Sequence, residues 1–415
     1  MHDISRAPVV KAPSMAAPPK NPRYAELHRR FPTIPYLRTH ARRHAPRFAF
    51  EYMDGGAGAD TGIAQNWSAL DAVQLVPRYG VMPSLPPIGV ELFGRHYAAP
   101  FGVAPMGGPS IVWPGADILL AKAAQRARVP YTLGLVGGAT IEEIADVAGD
   151  VFWFQLYRCA KNNHAIGFDL VKRADAAGVH VLVLTLDVPV RTTRSREVAV
   201  GLSGTGTFRP TPRMLWDIMW SPGWAMAMMK YGQPRFANIK NYAGAGASLN
   251  DVIKFARDEL GGGFTWDEVE QYRDRWKGPL VVKGVMHPAD AERAVKLGVD
   301  GVVVSNHGGR QIEALPPAID CLPAVVKAVH GRATVLMDSG IRSGTDVVRA
   351  LALGASAAFA GKAFLWSLGA LGPEGPGHAI DLLAEETQSA LGQIGAHAPD
   401  EARKAVIRHP GALHF

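Results

Sequence analysis

The sequence predicts an α/β fold: a closed (β/α)8 TIM barrel with an N-terminal helical lead-in and a long insert between strands four and five. Three observations lead there. From Pro100 onward, short apolar runs alternate with amphipathic stretches of helical period, and there are eight such runs. Strands that are apolar throughout and joined by helices belong to a parallel sheet covered on both faces, and eight such units close into a barrel. An open doubly wound sheet would want a glycine fingerprint after its first strand, and no clean one is present.

Taken in order, residues 1–20 are rich in Pro and Ala and read as a disordered tail. Residues 21–99 form the helical lead-in and barrel cap. Within them Pro46–Glu51 reads as helix running into Tyr52-Met53-Asp54-Gly55-Gly56-Ala57, where the glycines stop it. Residues 100–415 form the barrel domain. Its strands are expected at Phe101–Met106, Tyr131–Leu135, Val151–Tyr157, Val181–Asp187, Leu280–Val285, Gly301–His307, Thr334–Gly340 and Ala357–Lys362. Helices are expected over Ala116–Arg128, Ile141–Val147, Ala165–Ala177, Pro288–Leu297, Pro317–Val329 and Gly344–Leu353. The insert, 198–275, is not featureless. Met214–Met229 holds Trp216, Trp220 and Trp224, Pro222-Gly223 splits it into two short amphipathic pieces, and a helix over Thr265–Trp276 leads to strand five.

The chain is 47% hydrophobic and 20% charged, the balance of a globular protein with a sizeable core. Its net charge of +7 raises nucleic acid as a partner. The basic residues are dispersed apart from Arg38, Arg42, Arg43 and Arg47, and no aromatic-basic platform is visible, so no nucleic-acid partner is expected. Cys159 and Cys321 have neither metal nor disulfide spacing, which fits a reducing compartment and no metal. The N-terminus lacks a secretion pattern, and no apolar run reaches the roughly 20 residues of a spanning helix. A cytoplasmic protein is expected.

Active residues of such barrels lie at the C-terminal ends of strands. Those ends read Pro105-Met106-Gly107-Gly108, Gly134, Gln155 with Tyr157, Thr185 with Asp187, Lys283, His307 with Arg310, Asp338 with Arg342, and Gly361-Lys362. The stretch Ser305-Asn306-His307-Gly308-Gly309-Arg310-Gln311 is central. A neutral His takes a proton near pH 7, and an Arg three residues on grips a carboxylate bidentately. The plainer reading is a polar turn that caps a strand. Asp187 could hold the His307 imidazole or pair with Lys283. Lys283 suits either a Schiff-base nucleophile or a cation beside an anionic ring. Gln155 and Thr185 suit a heterocycle's edge, or are satisfied barrel-core polars. Asp338-Ser339-Gly340-Ile341-Arg342 and Gly361-Lys362 suit a phosphate, since loops after strands seven and eight often bind one. The plainer reading of Arg342 is a pair with Asp346. Tyr52 reads as core.

Seven motifs in order resemble the FMN-dependent 2-hydroxy acid oxidase and dehydrogenase family. They are Tyr52 before Gly55-Gly56-Ala57, Ala104-Pro105-Met106, Phe154-Gln155-Leu156-Tyr157, Leu184-Thr185-Leu186-Asp187, Val282-Lys283-Gly284-Val285, Ser305 to Gln311, and Asp338 to Asp346. The resemblance runs from about Phe50 to Gly369, interrupted by the insert. It implies FMN as cofactor and oxidation of a lactate- or mandelate-like L-2-hydroxy acid. It makes His307 the base and Asp187 its partner. Arg310, Arg194, Tyr52 and Tyr157 would bind substrate. Pro105, Met106, Gly107, Gly134, Gln155, Thr185, Lys283 and Ser305 would hold the isoalloxazine, with Lys283 at its pyrimidine edge. Asp338, Ser339, Gly340, Ile341, Arg342, Gly361 and Lys362 would hold the ribityl chain and phosphate. A homo-oligomer, often a tetramer, is also implied.

Several positions depart from the family pattern. Gly134 stands where Ser or Thr is frequent, Val136 where a large aromatic is frequent, and Lys362 where Arg is usual. After Arg194 comes Ser195-Arg196, where an acidic residue is common. Two other functions fit parts of the sequence: a flavin-barrel isomerase of a phosphorylated substrate, and an anion-binding barrel without turnover. The Trp- and Met-rich part of the insert, 208–240, reads either as a lid or oligomer contact, or as a peripheral membrane anchor on the inner face. A quinone or other carrier would accept electrons in the anchor case, and oxygen in the lid case.

Overall fold

The structure, a computed structural model, describes residues 20–82, 84–190, 192–202, 210–244 and 246–415. Of the expected tail only Lys20 is described. Its ammonium lies 2.6 Å from Glu385 Oε2.

The eight expected strands form and close into one barrel. They are β1 (Phe101–Val103), β2 (Tyr131–Gly134), β3 (Phe152–Leu156), β4 (Val181–Thr185), β5 (Leu280–Lys283), β6 (Gly301–Val304), β7 (Thr334–Met337) and β8 (Ala357–Ala360). All neighbours are parallel, and β8 pairs with β1 to complete the ring. Each strand stops one to three residues short of its expected end. Those residues pass from the ladder into the rim loops, which is why they are available to a site. Register sets the levels of the rim. Gly134 lies beside Gln155, and Thr185 beside Lys283.

The opposite mouth is sealed. A hairpin of Val90–Leu92 and Arg95–Tyr97 turns at Phe93, whose ring meets Trp153 at 5.5 Å between centroids. Trp153 in turn packs on Phe359 at 5.2 Å and donates its indole N–H to the Tyr97 hydroxyl at 2.9 Å. Besides its helices, the lead-in and cap, 21–99, thus holds strands. It contributes this hairpin and a short strand, Gln74–Val76, that pairs antiparallel with Val406–Arg408 near the C-terminus. A buried helix, Gly375–Ile394, also follows the last barrel unit. It went unread because it is apolar on most sides, with little periodic contrast.

The insert folds as anticipated into Pro212–Met219 and Pro222–Tyr231, with Trp266–Arg275 leading to β5. Two further helices, Ala237–Lys240 and Leu249–Glu259, lie between them. Phe48, Ala49, Met214 and Trp224 form a small apolar core of their own, apart from the barrel core. The Trp224 ring meets Phe48 edge-on at 5.5 Å, and its indole N–H reaches the Ile111 carbonyl at 3.3 Å. The insert is thus seated on the lead-in helix Arg47–Asp54 and on the loop after β1.

Candidate active site

The rim encloses a cavity of about 1180 Å³ whose walls come from the strand ends, the lead-in and the insert. His307 stands on it in a left-handed backbone conformation, φ +57°. Such strain costs about 1–3 kcal/mol and persists where surrounding structure enforces it. Here the His307 N–H donates to Ser305 Oγ at 3.0 Å, and Nδ1 lies 3.0 Å from Asp187 Oδ1. An ionised carboxylate only accepts, so Nδ1 carries the proton and the other ring nitrogen is left as the basic one. Burial lowers the pKa of His307 below its ordinary value. Asp187 opposes that fall and Lys283 adds to it. Burial pushes Asp187 up, but His307 and Lys283 outweigh it and hold the acid below the usual carboxylate range. Gly284, φ +97°, permits this contact: a Cβ there would sit 2.5 Å from the Asp187 Cβ.

Lys283 is buried in the ring. Its ammonium lies 3.1 Å from Asp338 Oδ2, 3.8 Å from Asp187 Oδ2 and 2.8 Å from Ser305 Oγ. Burial opposes its charge, yet the two carboxylates raise its pKa above the ordinary value. Paired with two carboxylates, Lys283 is placed as a fixed cation rather than as a neutral amine for Schiff-base work. The open choice for Asp187 also resolves, since one oxygen faces His307 and the other faces Lys283. Close by, Gln155 and Thr185 are buried, and Gln155 Nε2 and Thr185 Oγ1 have no partner among the described residues. Buried polar atoms without partners are costly and point to a polar ligand.

The two arginines converge. Arg310 donates through Nη1 to the carbonyls of Tyr52 (3.0 Å) and Gly55 (2.7 Å), and through Nη2 to Glu197 Oε1 at 2.7 Å. Arg194 Nη1 reaches the same Glu197 oxygen at 3.4 Å. Glu197 was missed in the sequence. The acidic residue sought directly after Arg194 comes three positions on, one turn along the helix Ser195–Ala199, where it faces the same way as Arg194. Tyr52 is not simple core: it lines the cavity, and its hydroxyl donates to the Gly107 carbonyl. Burial, with Glu197 nearby, pushes its pKa up to about 12. Tyr157 lines the same cavity.

At the seventh and eighth strand ends, Asp338, Ser339, Gly340, Ile341, Gly361 and Lys362 line the cavity. Arg342 does not. Its guanidinium lies 2.6 Å from Asp71 and 3.2 Å from Asp346, so the plainer reading of that side chain is the one realised. The Lys362 ammonium is held by the carbonyls of Met53 (3.1 Å), Asp54 (3.1 Å) and Gly55 (2.7 Å), where the helix Arg47–Asp54 ends. Its backbone still opens the helix Lys362–Leu371 toward the cavity, and the first N–H groups of a helix have no partner within it. Gly134 also stands back from the walls. A Cβ on it would sit 2.6 Å from the Met106 carbonyl oxygen, so this glycine serves close backbone approach. Pro105, Met106 and Gly107 pass over it and do line the cavity.

Residues 41–409 match the family of FMN-dependent dehydrogenases. The chain belongs to this family. L-lactate dehydrogenase from Stenotrophomonas maltophilia (strain R551-3) is 37% identical over 375 residues, 90% of this chain and 98% of the relative. L-lactate dehydrogenase from Pseudomonas aeruginosa (strain LESB58) is 37% identical over 379 residues, again 90% and 98%. Among solved structures, the monotopic membrane protein (S)-mandelate dehydrogenase superposes with a TM-score of 0.82 at 30% identity, covering 89% of this chain and 96% of that one. A mandelate oxidase gives 0.78 at 34% identity, covering 92% and 100%.

The family member described here is an FMN-dependent 2-hydroxy acid oxidoreductase. Its residues fit the cofactor. The unpartnered Gln155 Nε2 and Thr185 Oγ1, the buried Lys283 cation and the glycine-lined strand ends are what a flat, electron-poor heterocycle with a phosphate tail requires. No group of three or more His, Cys, Asp or Glu among the described residues is placed to hold a metal ion.

Proposed function

We propose that the protein oxidises a lactate- or mandelate-like L-2-hydroxy acid to the 2-oxo acid, with His307 as the base. The observation that carries this reading is the pair of His307, kept neutral by burial and oriented by Asp187, and Arg310, three residues on and facing the same cavity. Bound FMN supplies the two-electron acceptor. Arg310 and Arg194 orient the substrate carboxylate, with Tyr52 and Tyr157 at the carboxylate and hydroxyl. His307 takes a proton from the substrate, and Asp187 stabilises the imidazolium that results. Gln155, Thr185 and Lys283 hold the ring, and the backbone of Gly340, Ile341, Gly361 and Lys362 cradles the phosphate. The carboxylate grip disfavours an isomerase of a phosphorylated substrate, and a base so oriented is more than anion binding needs. Anaerobic addition of L-lactate or (S)-mandelate should bleach the flavin, and a flavin left yellow by both would defeat this reading.

The same proposal places the protein on the inner face of a membrane, with a quinone as acceptor. No helix among the described residues is long and apolar enough to cross a bilayer. The insert instead presents apolar side chains to water: Leu215 (58% exposed), Trp216, Met219 and Trp220 share one helix face, and Met226 and Met229 are exposed on the helix that follows. Six large apolar side chains left in water together mark an interaction surface. A relative of similar structure is a monotopic membrane protein, which supports the same choice. Replacing Trp216 and Trp220 by Ser should move the protein from the membrane fraction to the soluble fraction.

A further inference from the structure

Tyr52, Arg194 and Arg310 line one cavity, yet they come from separate parts of the chain, and a fourth residue lies where those parts meet. Arg196 stands two residues beyond Arg194, on the helix Ser195–Ala199, and does not itself line the cavity. Successive side chains of a helix turn by about 100°, so Arg196 leaves on a different side from Arg194 and Glu197. Its Nε lies 2.5 Å from Glu51 Oε2, and its Nη1 lies 3.0 Å from Asp54 Oδ2 and 2.9 Å from Asp60 Oδ2. Glu51 and Asp54 end the helix Arg47–Asp54. Asp60 follows the next turn, and its other oxygen takes the Gly56 N–H at 2.6 Å. The three carboxylates therefore bracket the segment Tyr52–Gly56. That segment carries Tyr52, and its Tyr52 and Gly55 carbonyls hold Arg310. The stem of Arg196 also lies along Gly55, where an added Cβ would stand 3.5 Å from Arg196 Cβ and Cδ.

We propose that Arg196 is a positioning residue for substrate binding: it locks the helix that carries Arg194 and Glu197 to the segment that carries Tyr52 and holds Arg310, and so sets the spacing of the carboxylate grip. This rests on the reading of Arg194 and Arg310 as that grip. Without the Arg196 guanidinium, three carboxylates converge on one spot. Arg38 remains on Asp54 at 2.6 Å and Arg47 lies 3.9 Å from Glu51, but Asp60 has no other cation within 4 Å among the described residues. Like charges in a partly buried site repel with little screening, so the segment moves off the helix Ser195–Ala199 and takes the Arg310 anchor with it. Arg196 touches neither substrate nor flavin, so its effect falls on how tightly the carboxylate is held rather than on the proton step.

The test separates binding from turnover. Arg196→Met should raise the KM for the hydroxy acid about ten-fold or more, with kcat within about three-fold of the parent. Binding of oxalate, an unreactive carboxylate, should weaken by the same factor in equilibrium ultrafiltration. Arg196→Lys keeps the charge but not the fork that reaches three carboxylates, and should recover part of the loss. Asp60→Asn keeps an acceptor for the Gly56 N–H and removes one charge from the clamp. It should raise KM and weaken oxalate about three-fold, and it decides the matter if Arg196→Met does not fold. KM and oxalate binding unchanged in Arg196→Lys and Asp60→Asn would overturn the inference. So would a fall in kcat as large as the fall in kcat/KM with flavin lost, which would make Arg196 a part of the fold alone. Oxalate held by the parent and released by the variants, in a protein whose flavin neither acid bleaches, would keep the clamp and defeat the reading of the substrate instead.

Discussion

Glu197 Oε1 lies 2.7 Å from Arg310 Nη2, in a site where both side chains are largely buried. Arg194 shares that oxygen at 3.4 Å. Burial and the neighbouring Arg194 both lower the pKa of Arg310, and Glu197 is the charge that offsets them. The carboxylate therefore holds together two cations that would otherwise repel. Glu197→Leu should raise the KM for the hydroxy acid about ten-fold or more, since removing one partner of a buried pair costs about 3–5 kcal/mol. Glu197→Gln, which keeps a hydrogen-bond acceptor, should recover most of that loss. Equal effects of the two variants would show that Glu197 does not orient the arginines.

His307→Ala should lower kcat about a hundred- to ten-thousand-fold, the usual worth of general-base help. Bound flavin, read from its visible absorbance, should persist, because the ring is held by other residues. Turnover near the parent rate would remove His307 from the mechanism.

The depressed pKa of His307 has a sign that can be tested. The base works only when neutral, so kcat/KM should fall as pH drops, with its acid limb below the ordinary value of 6.5. Stability follows the same direction. Below pH 6.5 the unfolded chain binds a proton that the folded site resists, so the contribution is lost as pH falls through the unfolded value toward the folded one. Asp187→Asn removes the partner that raises the His307 pKa. The acid limb should then move to lower pH while kcat drops. A limb that moves to higher pH would contradict the pairing.

Lys283 is the only cation within 4 Å of either Asp187 Oδ2 or Asp338 Oδ2 among the described residues. Lys283→Met leaves two buried carboxylates facing each other without it. Thermal denaturation should show a loss of about 3–5 kcal/mol, and the purified protein should retain little flavin. An unchanged melting temperature would show that water or rearrangement replaces the ammonium.

Gly134→Ala places a methyl group 2.6 Å from the Met106 carbonyl, a backbone atom that cannot swing aside. The segment Pro105 to Gly107 should shift, costing about 1–3 kcal/mol in stability and weakening flavin retention. A variant that melts and binds FMN like the parent would show that this loop is free to move.

Local pattern determined much of this protein. Apolar runs of strand length alternating with helical period specify a parallel sheet covered on both faces, and eight such units specify its closure. Glycines and polar residues just past each run mark the rim, and the His-x-x-Arg spacing marks the chemistry on it. The tertiary structure alone decided which charges meet. Arg342 turned away to Asp71, which lies 271 residues off in sequence, and Lys362 was taken up by the end of a lead-in helix. Glu197 reached Arg310 across 113 residues, and Phe93 sealed the far mouth against Trp153. Periodicity records which face of an element is buried, but a buried charge takes whichever counter-charge the packed neighbours supply, and those neighbours are set by topology rather than by the residues beside it in the chain.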